Sequence, residues 1–211
     1  MKLMVAIPTV DYIHFEFTKS LVELARNLER NGIDFEVRFF GSTLVYDGRN
    51  ILAESAVNEK FTHVLWLDAD MVFKPDLFSR LYSHEKDIVT GVYHARRPPH
   101  KSCIFTGLNP AKRVKKYPKE LFEIVACGFG CVLTTTEALK VVMRNNDGCF
   151  QPILNCGEDI SFCVKASQRG FKIYCDPNVK AGHIGHVTIY PDDYIKKDEA
   201  KIGRASCRER V

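Results

Sequence analysis

Thr62-His63-Val64-Leu65-Trp66-Leu67-Asp68-Ala69-Asp70 is an apolar run that breaks off in two acids. Its aliphatic, β-branched and aromatic residues suit a strand at the centre of a sheet. Strands of that kind belong to parallel α/β sheets, where ligands gather beyond the carboxyl ends. Asp68 and Asp70 stand at such an end, and residues two apart in extended chain project to the same side. Two carboxylates facing one spot repel each other unless a cation lies between them, and a bound Mg²⁺ or Mn²⁺ also bridges phosphate oxygens. A solvated turn would explain an isolated Asp-x-Asp pair equally well, so the flanking sequence has to decide.

Working outward toward the N-terminus, a helix is expected from Asp47 or Arg49 to about Asn58, with Ile51, Leu52, Ala56 and Val57 on its apolar side. Before it lie a strand, Asp34 to Phe40, and a helix from Phe15 to Asn31 stopped by Asn31-Gly32. A first buried strand, Lys2 to Pro8, empties into a loop at Pro8-Thr9. Toward the C-terminus, Pro75 opens a helix to about Ser83, and Asp87 to Tyr93 reads as a strand. Lys101 to Glu120 lacks periodicity and reads as a loop near a site rim. Phe122 to Thr134 reads as one strand, Thr136 to Arg144 as a helix and Asn145 to Asn155 as a loop. Glu158 to Arg169 reads as a helix capped by Gly170, and Phe171 to Cys175 as a last short strand. Alternating strands and helices predict a single α/β domain, with a mainly parallel central sheet flanked by helices.

Bulk properties agree. A chain of 211 residues that is 45% hydrophobic suits one domain with a sizeable core. The formal charge of +4 is small and scattered, so no stable nucleic-acid complex is expected. No apolar run reaches the roughly 20 residues that span a bilayer, and the stretch from Met1 to Pro8 is too short for a signal peptide. A soluble, cytoplasmic protein is the expectation. The eight cysteines are dispersed without a Cys-x-x-Cys pair and read as reduced thiols. Residues 202–211 read like the in-frame translation of a sequencing adapter, so residues 1–201 are taken as the domain and the tail as non-native.

Further residues support chemistry at the Asp68-Asp70 site. Arg49-Asn50 at a helix start would let a guanidinium and free amides receive a diphosphate, although a surface ion pair would also explain Arg49. Glu158-Asp159 opens another helix, where the dipole favours ionised carboxylates and where simple capping is the plainer reading. Gly182-His183-Ile184-Gly185-His186 follows the last strand, and a neutral imidazole there would complete an oxygen-rich site and favour Mn²⁺ over Mg²⁺. Tyr93, His94, Arg96 and Arg97 follow a strand and could line a sugar site, and Gly128-Phe129-Gly130 could admit a ligand closely.

Taken in order, Pro8-Thr9, Arg49-Asn50, Trp66-Leu67-Asp68-Ala69-Asp70, Gly157-Glu158-Asp159 and His183 resemble the family 2-like GT-A glycosyltransferases over nearly all of residues 1 to about 190. The resemblance implies a GT-A (Rossmann-like) fold and transfer of a sugar from a nucleoside diphosphate carrier, a UDP- or GDP-sugar, to an acceptor hydroxyl. By it, Pro8 and Thr9 lie beside the nucleotide, with Arg49 and Asn50 also on the donor. Asp68 meets the ribose or the metal, Asp70 ligates Mn²⁺ or Mg²⁺, and His183, with His186 in reserve, is the late ligand. Asp159 becomes the base of an inverting reaction, with Glu158 beside it in the acceptor pocket. The chain lacks the Gln-x-x-Arg-Trp signature of processive synthases, so single addition is expected. The acceptor, whether glycan, lipid, protein or modified base, is not specified by these motifs.

Three other activities compete. A sugar-phosphate nucleotidyltransferase usually carries a glycine-rich basic loop after its first strand, which Pro8-Thr9-Val10-Asp11 does not offer. A retaining transferase becomes the better reading if no carboxylate reaches the acceptor. An inactive nucleotide- or glycan-binding module is disfavoured by Asp68, Asp70, Glu158, Asp159 and His183 occurring together.

Overall fold

The computed structural model describes residues 1–10, 12–143, 148–153 and 156–185. His186 and the adapter-like tail lie outside the described residues. The chain opens with β1 (Lys2–Thr9), α1 (Phe15–Arg30), β2 (Asp34–Gly41), α2 (Val45–Asn58) and β3 (His63–Leu67). After the two acids come β4 (Met71–Val72), α3 (Leu77–Tyr82) and β5 (Ile88–Val92). A hairpin of β6 (Ile104–Leu108) and β7 (Ala111–Arg113) follows, then β8 (Phe122–Ile124), β9 (Ala126–Cys127) and β10 (Cys131–Thr135). The remainder is α4 (Thr136–Met143), α5 (Glu158–Gln168), β11 (Ile173–Lys180) and β12 (Gly182–His183).

Seven strands form the central sheet in the order β2-β1-β3-β10-β5-β11-β8. β1 is parallel to β2 and β3, and β11 to β5, while β10 runs antiparallel between β3 and β5, and β8 antiparallel at the edge. Alternation along the strands divides the core. Met4, Ala6, Val64 and Trp66 face one apolar layer with α2, α4 and α5, while Leu3, Val5, Ile7, Leu65 and Leu67 face the other with α1 and α3. Burying each of the larger of these side chains contributes about 1.5–3 kcal/mol. The Trp66 indole N–H donates to the Thr134 hydroxyl at 3.0 Å, so the most buried polar group of the central strand is satisfied.

Several expected boundaries move. Phe122 to Thr134 is three strands in different pairings. β8 joins the far edge of the sheet, β9 pairs with β6, and β10 returns to the centre. The turn between β9 and β10 lies under Tyr93. A Cβ on Gly128 would stand 2.2 Å from the Tyr93 hydroxyl oxygen, and one on Gly130 would stand 3.0 Å from Tyr93 Cζ. Only glycine lets the chain pass there. The segment Lys101 to Glu120, expected to be a loop, contains the β6–β7 hairpin, whose outer strand is wholly exposed and therefore lacks an apolar alternation. β11 runs past Cys175 to Lys180, with a register shift against β5 that accommodates Pro177. α2 begins at Val45, placing Arg49 in its second turn instead of among its free amides.

Candidate active site

The sheet brings distant segments to one edge. Strands β1, β3, β5 and β11 end there, and antiparallel β10 begins there, its Cys131 opposite Leu67. Pro8, Asp68, Tyr93, Gly130 and the β12 histidine therefore converge although they are far apart in sequence. Two adjoining cavities result, of about 430 and 440 Å³, sharing Arg49, Asp68, Arg96, Glu158 and His183 on their walls. The first also takes in Pro8, Thr9, Tyr12, His14 and Asp70. The second is walled by Tyr93, Arg97, Arg113, Gly128 and Asp159.

Asp70 and His183 meet across this edge. β12 pairs with β4 in the register His183↔Met71, and Ile184 N–H donates to the Asp70 carbonyl at 2.8 Å. His183 Nε2 is thereby held 3.3 Å from Asp70 Oδ2, which also receives Arg96 Nη1. His183 Nδ1 donates to the His94 carbonyl at 2.9 Å, so the protonated ring gives its Nε2 proton to Asp70, while the neutral ring keeps its proton on Nδ1 and frees the Nε2 lone pair for a cation. Burial opposes charge on Asp70, but the His183 hydrogen bond and the Arg96 guanidinium outweigh it and hold the carboxyl below its ordinary range. Burial likewise lowers His183, and the Asp70 carboxylate more than reverses it. A carboxylate oxygen and an imidazole nitrogen side by side suit Mn²⁺. Among the described residues, no three His, Cys, Asp or Glu side chains are grouped to hold a metal by themselves, so a cation here would take its other ligands from substrate and water.

Asp68 is held apart from that pair. Its Oδ1 accepts from Arg49 Nη2 at 2.6 Å, and the Arg49 side chain is only 2% exposed. Arg49 Nε lies 3.6 Å from Glu158 Oε1, and the guanidinium rests over Phe129 and Phe150 at 5.5 and 5.9 Å from the ring centroids. Those rings belong to an aromatic cluster with Trp66 and Phe162. Arg49 is thus a buried cation beneath three carboxylates. Burial works against its charge, and Asp68, Glu158 and Asp159 together restore it. Its Nε and Nη1 have no hydrogen-bond partner among the described residues. Asn50, expected beside Arg49 on the donor, turns elsewhere. Its Oδ1 accepts from Phe150 N–H at 2.8 Å, fastening the loop that carries Phe150.

Glu158 and Asp159 form the first turn of α5, as the sequence predicts, with Gly157 in the capping position. Asp159 Oδ1 accepts from Ile160 N–H at 2.7 Å. Burial, and then the neighbouring Glu158, nevertheless push the Asp159 carboxyl up to about 6, beyond what the helix end and Arg49 offset. Above it, burial keeps the Tyr93 phenol well above its ordinary range and so neutral. Tyr93 accepts from Gly130 N–H at 3.0 Å and meets the His183 ring edge-on at 5.6 Å.

Tyr12 and His14 on the first cavity and Arg113 on the second carried no sequence signal. The first two sit in an aperiodic loop, and Arg113 in the exposed hairpin strand.

This arrangement of sheet and cleft is a GT-A-like fold, in one domain. In particular, the chain is similar to A197 from STIV, at a TM-score of 0.58 and 20% identity, covering 88% of this chain and 87% of that one. It is also similar to the catalytic domain of Drosophila β1,4-galactosyltransferase 7 in complex with xylobiose, at 0.56 and 14% identity, covering 93% and 79%. No protein-family model matches the chain, and no curated protein sequence matches it. Likeness at these identities concerns the fold; the chemistry has to be argued from the residues.

Proposed function

We propose that the chain transfers a sugar from a nucleoside diphosphate sugar to an acceptor hydroxyl, with inversion, using Asp159 as base. The observation that carries this reading is a pair of adjoining cavities with Arg49, Asp68, Glu158 and His183 on the walls of both, Asp70 beside His183 on one and Asp159 on the other. Pro8, Thr9 and Asp68 line the donor cavity and suit the nucleoside, and the aromatic face of Tyr12 suits its base. A divalent cation held by Asp70 and His183 would supply charge neutralisation for the diphosphate.

The chain's own groups handle the proton and the developing charge. Asp159 takes the acceptor hydroxyl proton as that oxygen bonds to the anomeric carbon, and the bond from that carbon to the diphosphate oxygen breaks with its electron pair leaving on the diphosphate. A carboxyl titrating at about 6 is ionised at neutral pH and still basic enough for this task. Arg49 steadies Asp68, Glu158 and Asp159 together, so three acids can share one cleft. Tyr93 lines the cavity with the base and, kept neutral by burial, does not compete for its proton.

Isothermal titration of UDP and GDP, with and without Mn²⁺, tests the donor site. Wild type is expected to bind one nucleotide at least tenfold tighter with Mn²⁺, and Asp70→Ala to lose that increment. Equal affinity with and without metal in both proteins would sink the metal site. Asp159→Asn is expected to bind nucleotide normally yet lose at least a hundredfold in transfer; undiminished turnover would move the base elsewhere.

A further inference from the structure

The second cavity carries four arginines, Arg49, Arg96, Arg97 and Arg113, against three acids, Asp68, Glu158 and Asp159. Besides Arg96, which serves Asp70, its walls include Arg97 and Arg113. Arg113 also lines an adjoining groove of about 690 Å³ along the β6–β7 hairpin, where Lys112, Lys115 and Lys116 stand exposed over Val114 and Phe122. The cavity at Asp159 and the hairpin groove thus adjoin at Arg113, which lines both, and together they give a track of cationic side chains.

The hairpin cations Lys112, Arg113, Lys115 and Lys116, and Arg97 beside them on the track, form no ion pair among the described residues, whereas Lys2, Arg38 and Lys172 elsewhere are paired. Arg113 is held in place without a counter-charge. Its Nη1 donates to the Ser102 carbonyl, and its guanidinium lies 4.2 Å from the Phe105 ring centroid. Of the acids at hand, Asp68, Glu158 and Asp159 on the cavity wall act on the buried Arg49, and Glu123 is taken by Lys172. A rigid guanidinium beside unpaired lysines fits phosphate oxygens.

We propose that the acceptor is a phosphate-bearing glycan longer than one sugar. Its hydroxyl reaches Asp159 while its phosphate lies on Arg97, Arg113 and the hairpin lysines. The proposal rests on the transferase reading above. Single-stranded nucleic acid would want exposed aromatic faces along the track, but Tyr117 is instead stacked on His94 and bonded to Ser102. A membrane surface would want large apolar side chains at the hairpin tip, and Asn109-Pro110 supplies none.

The test uses the full chain and short manno-, gluco- and galacto-oligosaccharides carrying a single phosphate, each compared with its phosphatase-treated counterpart by isothermal titration. At least one phosphorylated probe is expected to bind about tenfold tighter than its neutral form. That preference is expected to vanish in the triple variant Lys112→Gln, Lys115→Gln, Lys116→Gln, and to weaken in Arg97→Gln. Nucleotide binding with Mn²⁺ should be unchanged in the triple variant, which also verifies that it folds. If no probe shows a phosphate preference while nucleotide still binds, the acceptor proposal alone falls. Loss of nucleotide binding in wild type overturns the transferase reading and this proposal with it. A single-stranded oligonucleotide or an anionic phospholipid vesicle that binds the track tighter than every phosphorylated glycan also overturns it.

Discussion

Asp159 is where stability and chemistry pull against each other. Its carboxyl titrates at about 6 when folded, against 3.8 ordinarily. The folded protein therefore holds that proton more tightly than the unfolded chain does. The resulting stabilisation is fully present below about pH 4 and is lost as pH rises through 6, a loss of about 3 kcal/mol by pH 8. Asp159→Asn, which needs no proton, is expected to melt higher than wild type at pH 8 and to lose that advantage at pH 4. Paired melting curves check this, and an unchanged difference across the range would mean that Asp159 is not strained. The same titration governs transfer, so the rate should fall about tenfold per pH unit below 6. In Glu158→Gln that limb should move to lower pH, because the second-largest cause of the shift is removed. Arg49→Met should move it upward and cost roughly 3–5 kcal/mol, since Asp68 and Glu158 would be left with a buried countercharge missing.

Among the elements, the β9–β10 turn sets the depth of the acceptor cavity. A methyl on Gly128 would collide with the Tyr93 hydroxyl at 2.2 Å and approach Asp159 Oδ2 at 3.5 Å. Gly128→Ala is therefore expected to cost about 1–3 kcal/mol and to impair transfer. In Tyr93→Phe the hydroxyl is gone, so the double variant should be more stable than Gly128→Ala alone, a non-additivity that denaturant melts of the four proteins would measure. The turn also marks the limit of pattern reading. The apolar runs of β1 and β3, the glycine stop after α1 and the acidic start of α5 state locally what each segment does, and the folded chain follows them. Within Phe122 to Thr134 only Gly128 and Gly130 hint at a break, and neither tells that the pieces join three different partners, because the close approach of the Tyr93 side chain that requires them comes from the end of β5. The β6–β7 hairpin is silent for a different reason: with an exposed outer strand, it has no buried face to write a period into the sequence.

At the scale of the whole molecule, the site exists only because one sheet edge collects its parts. Asp70 was legible as an acid after a strand, and His183 as a histidine between glycines. Their meeting depends on the four-residue pairing of β4 with β12, which no periodicity encodes. Arg49 was legible as a charge but not as a buried one, because its depth comes from Phe129 and Phe150 folding over it from elsewhere. A ligand that bridges Asp70 and His183 therefore couples the centre of the sheet to the last described strand, and should stabilise the whole domain. At a nucleotide concentration about 100-fold above its Kd, that linkage gives about 2.7 kcal/mol, or a rise in Tm of roughly 5–10 °C for a domain of this size. Wild type with Mn²⁺ and nucleotide is expected to show that rise. His183→Ala, which also loses the His94 hydrogen bond and the Tyr93 contact, should melt slightly lower without ligand and show little rise with it. A full ligand-induced rise in His183→Ala would mean that the nucleotide is held without β12, and that the cation site has to be sought elsewhere along the cleft.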